Sequence, residues 1–75
     1  MTYEEALRKL NSNNRQVLET IEEAIQMLSP ADIGRKAYND TMRDYYKFYE
    51  SLNLDCLKRV AHTISCATGM HLEVR

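Results

Sequence analysis

Only two cysteines occur among the 75 residues, and they stand ten apart, so there is neither a disulfide framework nor a C-x-x-C motif. With the two histidines they give the order C-x5-H-x3-C-x4-H, Cys56 to His71, which fits no common structural zinc site. Cys56, His62 and Cys66 fall on one expected helix. The thiols are read as reduced and partly buried, in a cytoplasmic protein without a metal or cofactor. Glycine is equally scarce, and Gly34 and Gly69 cannot build a Gly-rich phosphate loop. No run of about 18 apolar residues is present, hence no membrane span is expected. The opening M-T-Y-E-E-A-L-R-K-L is acidic and amphipathic, where a secretory signal would start basic and continue apolar. Charge of one sign is also lacking. Ten Lys and Arg against eleven Asp and Glu leave a net −1, which speaks against a broad polyanion binder. Cys56 and His62, six apart on one helix, face different sides, so no nucleophile–base pair forms and no catalytic residue is assigned.

What is present is a single helical domain. An apolar fraction of 44% and a charged fraction of 28% suit a folded soluble chain. One this short buries about 60–65% of its unfolded surface, which makes a homodimer a natural supplement to its stability. The first helix is expected over 2–10, opened by Thr2 and Glu5 as a capping box, with Tyr3, Ala6, Leu7 and Leu10 in one stripe. The N-S-N-N run at 11–14 breaks it. A core helix follows over 15–28, its apolar face formed by Val17, Leu18, Ile21, Ala24, Ile25 and Leu28. Glu19, Glu22 and Glu23 lie toward the other side as a solvated acidic face.

Ser29-Pro30 is a stop and restart, serine capping and proline fitting the first helical position. It opens a short helix over 30–37. Gly34 in its middle costs about 1 kcal/mol relative to alanine, which implies a crossing helix packed close against it. Tyr38-Asn39-Asp40 is the expected turn, and Thr41 with Asp44 restarts a helix to residue 51. In that helix Met42, Tyr45, Tyr49 and Leu52 are expected to face the core. The aromatics at 45, 46, 48 and 49 cannot all fit one face, so Tyr46 or Phe48 should be exposed as a contact surface. Asn53 caps a closing helix over 54–67, with Leu54, Leu57, Val60, Ala61 and Ile64 inward and Lys58, Arg59 and His62 outward. Gly69 ends it. M-H-L-E-V-R then alternates with period two, predicting a short β-strand over 70–74 that pairs with its copy in a second subunit or stays extended. The fold class is therefore all-α: a compact five-helix bundle containing a helix-turn-helix at about 30–51, with a short C-terminal β-strand.

From about Gln16 to Arg75 the chain resembles the addiction-module antidote branch of the helix-turn-helix repressors, the HigA-type antitoxins, within the wider class of small phage-type repressors. The matching runs are L-S-x-x-x-I-G-R-K-A, D-T-M-R-D-Y-Y-K-F-Y, L-N-L-D-C-L-K-R-V-A and the ending G-M-H-L-E-V. The usual turn glycine is replaced by Tyr38 or Asn39, and the stretch before Gly69 is about three residues longer than the family pattern. The resemblance implies a sequence-specific regulator that binds a palindromic operator in double-stranded DNA as a homodimer, with a cognate toxin as a further partner.

In that frame the helix from Thr41 to Glu50 enters the major groove. Arg43 reads a base, Thr41 and Tyr46 bond base or phosphate, and Lys47 adds a phosphate contact. Arg35 and Lys36 clamp the backbone, which positions without specifying. Against this stands the reading of a small helical adaptor or inhibitor that binds another protein through the exposed aromatics or the acidic face. Charge geometry separates the two: Arg35, Lys36, Arg43 and Lys47 on one unobstructed face favour DNA, and interrupting carboxylates favour a protein partner.

Overall fold

The computed structural model describes residues 1–75. Five helices follow one another: α1 (Tyr3–Lys9), α2 (Ser12–Met27), α3 (Pro30–Ile33), α4 (Arg35–Ser51) and α5 (Leu54–Thr68). Their starts are fixed by polar side chains that satisfy otherwise unpaired first-turn amides. Thr2 accepts from the Glu5 amide at 3.2 Å. Asn11 accepts from the Asn14 amide at 2.8 Å, so α2 begins at Ser12, a turn earlier than the expected Arg15. Asn53 accepts from the amides of Asp55 and Cys56. Asp32 reaches back to the Ser29 amide at 2.9 Å, closing the short α3. Gly69, left-handed at φ 76°, ends α5 as expected.

The core is built chiefly by α2, α4 and α5, with Ala6 of α1 and Leu10 just after it added to the cluster. Leu18, Ile21, Phe48, Leu57, Val60 and Ile64 are fully enclosed. Phe48 is the largest of them and 0% exposed, a burial worth about 2–3 kcal/mol. It therefore belongs to the core, and of the two expected contact aromatics only Tyr46 lies on the surface. The buried stripe of α4 runs Thr41, Tyr45, Phe48, while Tyr38, Met42, Tyr49 and Leu52 form its half-buried margin.

Three expectations are corrected. The turn at Tyr38-Asn39-Asp40 does not form, because these residues lie inside the continuous 17-residue α4. Burial of Thr41 and Tyr45 on the same helical face holds the chain in register through Asn39 and Asp40, whose helix propensity is only about 0.5 kcal/mol worse than alanine. The helix expected over 30–37 is the single turn Pro30–Ile33. It ends at Gly34, whose φ of 94° and ψ of 148° are open only to glycine. A Cβ there would meet nothing within 4 Å, so conformation, not a crossing helix, explains this glycine. The expected turn of the helix-turn-helix is therefore absent, and the break within 30–51 falls at Gly34. A second tight connection lies at Leu52-Asn53, between α4 and α5, where Leu52 turns the chain at φ 53°.

The third correction concerns the tail. Residues 70–75 form no strand. Leu72 and Val74 pack on the core while Met70 is exposed, so the alternation is real without a ladder. Side chains replace the missing backbone partners. The buried Asn14 amide accepts from the Arg75 N–H at 2.7 Å and donates to its carbonyl at 2.6 Å. Asn13 donates to the Glu73 carbonyl at 2.7 Å, and the Leu72 amide donates to Ser65 Oγ at 3.2 Å.

Candidate nucleic-acid interface

Because α4 and α5 are joined by two residues and pack along their length, their outward edges border one open groove of about 690 Å³. Its walls are Asp40, Arg43, Asp44 and Lys47 from α4, and Lys58, Arg59, His62 and Thr63 from α5. Four cations against two carboxylates leave a surplus of two positive charges in a chain whose net charge is −1. The two carboxylates are both engaged. Asp40 pairs with Arg43 one turn away. Asp44 takes a fork from Arg59, Nε at 3.1 Å and Nη2 at 3.2 Å. The Asp44 hydrogen bonds and charge raise the Arg59 pKa further above its ordinary value. Lys47 and Lys58 have no ion-pair partner.

The acidic side chains of α2 gather apart from this groove. Tyr3, Glu19, Glu22, Glu23 and Gln26 line a separate depression on α1 and α2. Glu22 is not part of a solvated face, as expected, but is half-buried and accepts the hydroxyls of Tyr45 and Tyr49, the latter at 2.5 Å. Burial first, and the Glu22 carboxylate second, push the Tyr49 phenol well above its usual range. Tyr3 is raised in the same direction by burial and by the charges of Glu19, Glu22 and Glu23.

Of the six residues singled out in the sequence, three come together in the groove. Arg43 and Lys47 stand on its α4 wall and Thr41, 3% exposed, forms part of its floor. Thr41 is thereby withdrawn from a helix tip that could project into a DNA groove. Arg35 and Lys36 sit exposed on the first turn of α4, outside the groove. Tyr46 is 65% exposed and also lies outside it. The stripe that carries Arg43 is not free of acid: Lys36, Asp40, Arg43, Lys47 and Glu50 recur at i, i+4, i+7, i+11 and i+14. Lys58, Arg59 and His62 point outward from α5, and the i, i+4 spacing of Lys58 and His62 is the one sign of them in the sequence; only the packing of α5 on α4 brings them opposite Lys47. Cys56 is buried and Cys66 exposed, both free.

Compared with protein-family models, curated proteins and solved structures, the chain finds no match.

Proposed function

We propose that the protein is a small DNA-binding regulator, antitoxin-like or repressor-like, whose duplex contact is the groove between α4 and α5. The observation that carries this reading is the sorting of charge: unpaired Lys47 and Lys58, with Arg43 and His62 beside them, line one cleft while the glutamates of α2 lie elsewhere. Lys47 and Lys58 neutralise phosphates and set the affinity. Arg43 supplies the bidentate group for a base edge once Asp40 releases it. Arg35 and Lys36 extend the backbone contact along α4. On a palindromic site a second copy completes the dimer as the DNA is bound.

Fluorescence anisotropy with random duplex DNA across a salt series tests it. Wild type should bind with an affinity that falls steeply with salt. Lys47→Gln/Lys58→Gln should weaken binding about tenfold or more and flatten the log–log slope by about 1.8, two phosphate contacts' worth.

A second reading, a helical adaptor for another protein, is favoured by the Asp40–Arg43 pair that interrupts the cationic stripe and by the projecting Tyr46 ring. Absence of duplex binding at low salt selects it.

A further inference from the structure

On the outer face of α5, His62, a member of the groove wall, has its Nε2 3.8 Å from the Sγ of Cys66, which lies outside the groove, both side chains being exposed. We propose that this pair is half of a zinc site, completed by the same pair from a second copy of the chain. A tetrahedral zinc ion holds sulfur at about 2.3 Å and imidazole nitrogen at about 2.0 Å, which sets those donors about 3.5 Å apart. The observed spacing is within a small side-chain adjustment of that value. The i, i+4 register fixes both donors on one helix face, so chelation requires no backbone movement. Cys66 stands in the last turns of α5, where outward carbonyls favour a cation.

Nothing else in the chain completes the shell, since no three His, Cys, Asp or Glu side chains converge on one point. Two donors leave two positions of a four-coordinate ion open. Two α5 helices crossing antiparallel at residues 62–66 fill them with a second thiolate and imidazole. That arrangement also sends each Lys58, roughly 6 Å along the axis from its own His62, away from the ion. As the ion binds, the Cys66 thiol loses its proton to solvent and a zinc–sulfur bond forms, with no change of oxidation state.

Cobalt(II) added to the reduced full-length chain, without DNA, is the probe. A thiolate-to-cobalt charge-transfer band should saturate at one ion per two chains. Zinc should double the mass in analytical ultracentrifugation, and a chelator should reverse this. Both effects should vanish in Cys66→Ser and in His62→Ala, substitutions at exposed positions whose far-UV circular dichroism should match wild type. No band, a band that survives in Cys66→Ser (which keeps Cys56), or one ion per chain at monomer mass overturns the proposal. Cys66 does not line the groove, so metal-free Cys66→Ser should bind duplex DNA like wild type. The two proposals therefore fail separately.

Discussion

The acidic depression of α1 and α2 gathers three glutamates, the basic groove of α4 and α5 four cations and two carboxylates, and the two use their charges in opposite ways. On the acidic side Glu22 is drawn into the protein, where two tyrosine hydroxyls from α4 close on one carboxylate. Tyr45 and Tyr49 meet edge to face, their ring centroids 5.0 Å apart, and Phe48 lies edge-on to Tyr49 at 5.1 Å. That charge is bound into the fold and serves stability. On the basic side the ion pairs sit at the surface, and Lys47 and Lys58 answer to no carboxylate. Exposed pairs of this kind contribute about 0–1 kcal/mol, so little stability depends on them. A charge that does nothing for the fold is free to serve a ligand.

Three substitutions sharpen that contrast. The largest effect belongs to Glu22→Ala, which strands two phenols, one of them nearly buried. Urea denaturation should show a loss of about 2 kcal/mol, with Glu22→Gln recovering much of it, and the folded fraction should bind duplex DNA unchanged. A stability loss below about 0.5 kcal/mol would erase the distinction between the two regions. Asp40→Asn should act the other way. Freed from its partner, Arg43 should strengthen duplex binding about two- to fivefold at low salt while the denaturation midpoint stays put, since the pair is exposed. The smallest effect is a matter of pH. Burial and Glu22 raise the Tyr49 pKa above its ordinary 10.0, so the folded chain holds that proton more tightly than the unfolded one. The resulting stabilisation is full below about pH 10 and declines as the pH climbs beyond it. Between about pH 9 and 11 wild type should lose more stability than Tyr49→Phe, by less than about 1 kcal/mol because solvent screens the half-exposed ring. Equal losses would detach Tyr49 from Glu22.

Much of the frame is legible in the residues themselves. Thr2, Asn53 and Gly69 act locally, and the structure uses each where the sequence places it. The apolar stripe of α2 is long enough to decide its own face. Between 30 and 51 local signals mislead. Asn39, Asp40 and Thr41 carry every mark of a turn and restart, yet tertiary burial of Thr41 and Phe48 outweighs roughly 1 kcal/mol of unfavourable propensity. The aromatic run admits two helical phases, and its content alone does not choose between Met42–Tyr45–Tyr49 and Thr41–Tyr45–Phe48. The groove was half visible for the same reason. Arg43 and Lys47 declare themselves on one helix, but their opposition to Lys58 and His62 is a product of how α5 docks. The tail shows a mixed case: Leu72 and Val74 pack on the core as their alternation suggests, but Met70 is exposed, no strand forms, and Asn13, Asn14 and Ser65 stand in for a partner strand.

That clasp of Asn14 on the main chain of Arg75 joins residues 61 positions apart in a protein otherwise made of helical turns. Closing so long a circuit is slow compared with winding a helix, and it gains nothing until α2 and α5 already lie side by side. The last segment of the chain is therefore fastened late in folding, and its amides are shielded from solvent exchange only once the core behind them stands.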